Sequence, residues 1–250
     1  MKIFTTLLFV FSFVSSGWAQ NQKDLTTANA RAQESAKIVR QFAAIGTDSL
    51  PFEYLQKAKA VAVFPGLAKV NILLSELIIG NGIVSLRSGN EWSVPAFLAF
   101  KGTDINFKIA GKKSFDTVFL FMDDESVGWL KKGDVGFNSD SKRKAMLGPV
   151  VGGKGADKTL EKANLVYYTF DKGQLVDTNL SNDSFFKAFG ILHDNNLNKA
   201  IFGMKTKVLF AAPEERVKVP TEIEKFRTAL TEVLSKTASQ SVGNETVKNK

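Results

Sequence analysis

The chain contains no cysteine, one histidine, and only three tyrosines and three tryptophans among its 250 residues. Without cysteine it forms no disulfide and carries no lipid on a processed cysteine, so packing alone must hold the fold together. A histidine-based triad would have to use His193, whose Asp-Asn-Asn neighbours are typical of a solvated loop. Clusters of Cys and His that bind zinc are also lacking. We therefore expect no enzymatic activity, no metal and no cofactor.

The sequence also lacks an apolar run long enough to span a membrane. The run at the N-terminus comes nearest to that length. Lys2, the apolar stretch 3–14 and the small residues ending at Ala19 form the three-part pattern of a signal peptide. The apolar stretch is shorter than the roughly 20 residues that cross a bilayer. We predict a signal peptide over 1–19, cleaved before Gln20, and a periplasmic or extracellular protein. The alternative is an uncleaved anchor.

The remaining composition is that of a globular protein with a basic surface. Hydrophobic residues make up 44% of the chain and charged residues 23%, phenylalanine occurs 21 times, and the formal net charge is +8. A basic exported protein is predisposed to bind anionic partners. Charge alone does not choose among acidic lipids, polyanionic glycans and nucleic acid, and it is equally compatible with an ordinary solubilising surface.

Helical periodicity gives way to strands at Ala60. Apolar residues recur at helical spacing over 24–45, where Gly46 is placed to end the helix, and a second short helix is predicted over 51–59. The first helix has a thin, alanine-rich apolar face, so we expect it to pack on the domain rather than lie on a membrane. Short runs rich in Phe and β-branched residues predict strands over 61–64, 71–79, 83–86, 92–100, 105–109, 117–122, 165–170, 174–176 and 207–211.

The rest of the chain completes a single predicted domain over 20–236. A long loop is predicted over 131–157, a helix-like piece over 183–192, and an amphipathic helix over 220–236. The polar, aperiodic segment 237–250 is predicted to be a disordered tail. Turns every 8 to 12 residues favour an α+β fold, an antiparallel β-rich barrel or sandwich with flanking N- and C-terminal helices.

Glycines and acidic residues mark several points where the backbone is expected to turn. Pro65-Gly66 is expected to end the first strand, and Gly80–Gly82 to form a kink between two strands. The acidic run 123–125 could hold a hard cation, but it lacks the ligand spacing of a calcium loop and favours a solvated turn. The glycines over 148–155 are similar to a phosphate-binding loop without its characteristic spacing, which makes that signal weak.

Basic residues cluster between the apolar runs. The clusters are Lys112-Lys113, Lys131-Lys132 and Lys142-Arg143-Lys144. If the sheet curls, turns at one end converge and form one positive face. Each Lys or Arg contributes about 1 kcal/mol at an anionic membrane surface, which suffices for reversible binding when several act together. The alternative is solubilising charge.

Several short motifs occur in a characteristic order along the chain. They are AKAVAVFP at 58–65, GNG at 80–82, WSVPAF at 92–97, FKIAG at 107–111, GPV at 148–150, YTFDKG at 168–173 and NKAIFG at 198–203. Over about 30–203 the chain thereby resembles the SYLF domain family of lipid-binding proteins, whose bacterial members are often exported. The resemblance implies phospholipid binding without enzymatic activity. It also assigns a structural role to the motif residues Gly80, Gly82, Trp92, Pro95, Gly148 and Pro149.

We therefore expect non-enzymatic binding of anionic phospholipid at an envelope membrane surface, and no nucleic-acid partner. The residues expected to bind lipid are Lys112, Lys113, Lys142, Arg143 and Lys144. The alternative is an envelope protein-interaction or structural module, in which the apolar face of the helix 220–236 docks a partner protein or a second copy.

Overall fold

The computed structural model describes residues 3–45, 50–72, 75–103, 114–138, 142–148, 163–175 and 188–247. Side chains are described over 20–45, 51–70, 77–103, 114–138, 142–148, 163–175 and 188–235. Several predicted features lie outside the described residues, namely Gly46, the strand 105–109, Lys112, Lys113, Pro149 and the glycines over 152–155.

Within those residues the chain forms six α-helices and ten β-strands. The helices are α1 Ile3–Ala43, α2 Leu50–Lys57, α3 Asp124–Lys132, α4 Asn195–Phe202, α5 Thr206–Leu209 and α6 Thr221–Val247, with a 3₁₀ turn at Glu214–Arg216. The strands are β1 Ala60–Ile72, β2 Ser75–Ser88, β3 Glu91–Trp92, β4 Ala96–Thr103, β5 Ser114–Phe121, β6 Val135–Phe137, β7 Ala145–Leu147, β8 Leu165–Asp171, β9 Gln174–Leu175 and β10 Ala188–His193. None of the described helices is long and apolar enough to cross a membrane.

Eight strands follow one another in the order β6-β10-β4-β2-β1-β5-β8-β7. Two short strands are attached to this series, β3 to β2 and β9 to β8. All of the described pairs are antiparallel except β7 with β8, which is parallel. The short edge strands β6 and β7 stand at the two ends of the series.

Aromatic contacts across the interior show that this sheet curls. Phe119 of β5 and Phe189 of β10 have β4, β2 and β1 between them, which would separate their strands by about 19 Å in a flat sheet. Their ring centres are 5.5 Å apart. Tyr167 of β8 and Phe137 of β6 also contact Phe189, with ring centres 6.5 Å and 4.8 Å from it. The sheet is therefore a nearly closed barrel filled with aromatic side chains, and the predicted α+β barrel with flanking helices is confirmed.

Helices α1 and α6 pack against each other and against the outside of the barrel. The buried side chains of α1 are Ala28, Ala32, Ser35, Ala36, Ile38, Val39 and Phe42, and those of α6 are Ile223, Phe226, Ala229, Leu230 and Val233. Small alanines let the two helices approach closely. The prediction that the first helix packs on the domain is confirmed. The C-terminal helix extends beyond its predicted end, so helical backbone continues into the segment for which composition predicts disorder.

Strand β1 continues through Pro65 and Gly66 instead of ending there. A β-bulge shifts its register between Phe64 and Leu67. Gly66 adopts a φ of 61°, in the left-handed region that glycine favours, and its N–H donates to Asp116 Oδ1 at 2.8 Å. The predicted strand end was wrong because a bulge accommodates a proline that a regular ladder excludes.

The kink predicted over Gly80–Gly82 is also absent, because β2 pairs with β4 continuously through these residues. The glycines are needed for close approach. A Cβ on Gly80 would lie 2.5 Å from Leu67 Cδ2, and one on Gly82 would lie 2.5 Å from both Phe64 Cδ1 and the Val63 carbonyl oxygen. Side-chain and backbone atoms of the bulged strand occupy the space that any larger residue would need.

Three further segments differ from their predicted structure. The predicted loop 131–157 contains the end of α3 and the strands β6 and β7. The described part of the predicted helix 183–192 belongs to β10, which pairs with β4 at six positions. The predicted strand 207–211 is largely the helix α5, whose Thr206 and Leu209 are buried. Short apolar runs do not by themselves distinguish helix from strand, and tertiary pairing decides these cases.

Candidate functional site

Arg143 connects the two edge strands of the barrel. It lies just before β7, and its guanidinium contacts the residues around β6. Nη1 donates to the carbonyl oxygens of Asp134 at 2.6 Å and Gly136 at 3.4 Å, and Nη2 donates to the Asp134 carboxylate at 2.8 Å. The guanidinium carbon lies 4.4 Å from the ring centre of Trp129. Arg143 thus takes the place of ladder hydrogen bonds where the barrel would otherwise stay open.

This contact brings two of the three predicted basic clusters together. Lys131 and Lys132 are exposed in the last turn of α3, and Lys142 and Lys144 are exposed on either side of Arg143. The hydrogen bond and charge of Arg143 hold the pKa of Asp134 below its usual value, and the charge of Lys132 acts in the same direction. We call Lys131, Lys132, Lys142 and Lys144 the basic rim.

The backbone of Lys144 is held in place by hydrogen bonds. Its N–H donates to Asn164 Oδ1 at 3.0 Å, and its carbonyl oxygen accepts from the N–H groups of Asn164 and Leu165. Asn164 Nδ2 in turn donates to Asp123 Oδ2 at 2.7 Å. The start of β7 is thereby tied to the start of α3, which fixes the spacing of the two halves of the basic rim.

The predicted lipid-binding residues do not share one structural role. Lys142 and Lys144 project from the surface, whereas Arg143 is committed to the contact between β6 and β7. Thr103 and Ser114 flank the segment that carries Lys112 and Lys113, and they pair with Leu77 and Ala68 at the end of the barrel remote from the rim. Sequence reasoning missed the structural role of Arg143, because it depends on two sheet edges meeting in space.

The predicted structural residues are packed where they are described. Trp92 is 2% exposed and Pro95 is buried just before β4. A Cβ on Gly148 would lie 2.0 Å from Tyr168 Cζ, so this glycine allows the chain after β7 to pass directly over the Tyr168 ring. Gly80 and Gly82 serve the close approach described above.

The acidic run 123–125 is a helix cap and not a solvated turn. Asp123 is the N-cap of α3, where its carboxylate accepts from the Ser126 N–H at 2.7 Å, and Asp124 pairs with Lys59 at 2.5 Å. Acidic side chains at a helix N-terminus are stabilised by the helix dipole. In the part of the chain that the structure describes, no group of three or more His, Cys, Asp or Glu side chains could hold a metal ion.

His193 ends strand β10 and is not a solvated loop residue. Its Nε2 lies 2.7 Å from the Leu130 carbonyl oxygen, and its ring contacts Phe210 with centres 5.8 Å apart. Burial lowers its pKa, the hydrogen bond with Leu130 opposes this, and nearby Lys207 lowers it further. A neutral imidazole that donates from Nε2 to Leu130 fits this site, which is structural.

A groove of about 440 Å³ lies between β3, the 3₁₀ turn and α6. Its charged lining is Glu91, Glu214, Glu224, Glu232 and Arg227. Arg227 pairs with Glu214 and Glu224, and Glu232 pairs with Arg40 at 2.9 Å, so the arginines occupy most of the carboxylates. The apolar stripe of α6 faces α1 and is buried, so a partner could reach it only if α6 left α1.

The basic rim, supported by Arg143 and Asn164, is thus the candidate functional site. No protein-family model matches the chain, and no curated protein matches it.

Proposed function

We propose that the protein binds anionic phospholipid reversibly at a membrane surface through the basic rim. The observation that carries this proposal is the convergence of four exposed lysines, from the end of α3 and the start of β7, at one end of the barrel. The net charge of +8 and the resemblance to the SYLF domain family support it. We also propose that residues 1–19 direct export, so that the membrane is one of the cell envelope.

The charge of the rim is sufficient for measurable but reversible binding. Four lysines at about 1 kcal/mol each give about 4 kcal/mol at an anionic surface, which corresponds to an affinity in the millimolar range before any other contact is counted. Such binding weakens as salt screens the charges over a Debye length of about 8 Å at physiological ionic strength. A lipid surface, unlike a protein partner, requires no shape complementarity beyond a positive face.

Vesicle co-sedimentation tests the proposal. The purified protein should sediment with vesicles that contain phosphatidylglycerol and much less with vesicles of phosphatidylcholine alone. Replacing Lys142→Ala together with Lys144→Ala should weaken binding by about 2 kcal/mol, or roughly thirtyfold. The matched control is Lys23→Ala with Lys37→Ala, which removes the same charge from exposed positions of α1.

Equal sedimentation with neutral and anionic vesicles would contradict the proposal. Equal losses in the two double variants would show that only net charge matters and not the rim. Mass spectrometry of the N-terminus of protein recovered from cells tests the export proposal, for which we expect Gln20 as the first residue.

A further inference from the structure

Part of the outer surface of the barrel is left uncovered by the helices that the structure describes. Near the basic-rim end, outward residues such as Ile83 of β2 and Phe97 of β4 are completely buried under helices. Further along the same strands, the outward side chains of Ile79 and Lys101 are exposed, while their inward neighbours Ile78 and Phe100 remain buried. Alternation along the strands therefore continues, but none of the described helices covers the outer side.

Strand register defines the side chains that share this open outer face on the five neighbouring strands β1, β2, β4, β10 and β6. Directly paired residues of antiparallel strands point to the same side of a sheet. The three rows are Val70, Leu77, Thr103 and Ala188; Ala68, Ile79, Lys101, Gly190 and Gly136; and Asn81, Ala99 and Leu192.

The composition of the open outer face is unusual for a solvated sheet surface. Antiparallel sheets with one face in water normally alternate apolar residues inward with polar residues outward. Nine of these twelve residues are apolar or glycine, one is Lys101, and none is Asp or Glu. Two large apolar side chains are well exposed, Ile79 at 41% and Leu192 at 48%. Contiguous exposed apolar patches mark surfaces that contact a partner or a membrane.

One edge of the open outer face, at β6, lies near the candidate site. Its last strand is β6, where Gly136 pairs with Gly190. The carbonyl oxygens of Gly136 and Asp134 are the ones to which Arg143 donates. Lys142 and Lys144 are the sequence neighbours of Arg143, so their backbone lies within the length of one arginine side chain of the β6 edge of this face.

The open outer face is poorly suited to bind a second copy of the chain. With strands about 4.8 Å apart and same-face residues about 6.8 Å apart, twelve positions cover about 400 Å², half of what each partner of a standard interface buries. In a two-fold dimer the same face would meet itself. Lys101 would then approach its own copy, with no carboxylate among the twelve residues to compensate.

We infer that the open outer face is the part of the protein that contacts the apolar boundary of an anionic lipid surface, with Ile79 and Leu192 entering between headgroups. This inference rests on the proposed function and adds an apolar anchor to the basic rim. Lys101 and the basic rim then lie at headgroup level, as lysines at membrane interfaces do. The surface charge of the lipid complements a face that carries no negative side chain.

Serine substitutions distinguish the apolar contribution to vesicle binding from the electrostatic contribution. Ile79→Ser with Leu192→Ser removes apolar contact without changing charge, and should weaken binding to phosphatidylglycerol vesicles about tenfold. The dependence of binding on salt should stay as in the unmodified protein. The control pair Ile79→Leu with Leu192→Ile keeps both side chains apolar and should bind normally.

A single fluorescent label tests the orientation directly. Because the chain has no cysteine, Ile79→Cys can carry one environment-sensitive fluorophore. We expect its emission to shift to the blue on phosphatidylglycerol vesicles. The same label at Thr231→Cys, on the exposed side of α6, should not shift.

The possible outcomes distinguish the inference from the proposed function. If the unmodified protein binds anionic vesicles but the serine pair binds equally well, or the label at position 79 does not shift, the inference is wrong and the basic rim acts alone. If the unmodified protein does not bind anionic vesicles, both are wrong. A dimer that sedimentation velocity detects and the serine pair abolishes would replace the lipid surface by a second copy.

Discussion

Gly82 has no side chain, and this allows strands β1 and β2 to lie as close together as they do. A methyl group there would lie 2.5 Å from both a ring carbon of Phe64 and the carbonyl oxygen of Val63. We expect Gly82→Ala to lower the free energy of unfolding by about 1–3 kcal/mol, the usual range for overpacking, in urea titrations. The control is Gly136→Ala, where the added Cβ meets no atom within 4 Å. Equal urea midpoints for the two variants would contradict this account.

His193 makes stability depend on pH in a predictable direction. Its folded-state pKa lies below the usual 6.5, so the unfolded chain binds a proton more readily than the folded one. The stabilising contribution of the neutral ring is therefore complete above pH 6.5 and is lost as the pH falls from there through the lower folded-state pKa. The urea midpoint should decrease between about pH 7.5 and 5.5, and less so in His193→Gln, whose amide still donates to Leu130. An unchanged pH profile in the variant would assign the dependence to other groups.

Arg143 acts between elements, because it joins strands at opposite ends of the sheet order. Arg143→Lys keeps the charge but loses the planar fork and the contact with Trp129. We expect a loss of roughly 1–2 kcal/mol in the free energy of unfolding, since several charge-assisted hydrogen bonds are replaced by at most one or two. Binding to anionic vesicles should persist at temperatures where the variant is folded. If stability were unchanged, the edges would be held by other contacts.

Sequence predicts best those helices and strands whose own residues show a clear helical or strand pattern. The segment 165–170 consists almost entirely of β-branched and aromatic residues, and it forms β8 as expected. The segment 207–211 is also a short apolar run, yet it is largely helical. Thr206 and Leu209 face the protein at helical spacing, while Lys207 and Val208 face water. Strand β10 owes its conformation to pairing with β4, which no local pattern encodes. Bulges such as the one at Pro65 depend likewise on the neighbouring strand.

The candidate site, too, could be predicted only in part, because some of its contacts join segments that are distant in the sheet. The basic clusters are visible in the sequence, and their position between apolar runs indicates exposure. That Arg143 is drawn into the contact between β6 and β7 depends on closure of the whole barrel. The open outer face is also invisible locally, since Ile79 and Leu192 look like core residues until register shows which side they face.

At the scale of the whole molecule, stability depends on the C-terminal helix. Ile223, Phe226, Leu230 and Val233 are buried, and at about 1.5–3 kcal/mol each they contribute about 6–12 kcal/mol, comparable with the total stability of a typical domain. A chain that ends at Pro220 should therefore lack a cooperative urea transition. A chain that ends at Lys236 should keep one close to that of the complete protein. Cooperative unfolding of the shorter chain would show that α6 is an accessory element.

The pairing of α1 with α6 also determines when the protein can finish folding during synthesis. Arg40 and Glu232, which form an ion pair, are 192 residues apart in sequence. At roughly 5–20 residues per second, the ribosome needs about 10–40 s between making the two. Helices form in about a microsecond, so the part of the α1 apolar stripe that faces α6 stays uncovered for nearly the whole of translation. If residues 1–19 direct export, this delay leaves the nascent chain incompletely folded while the export machinery engages it.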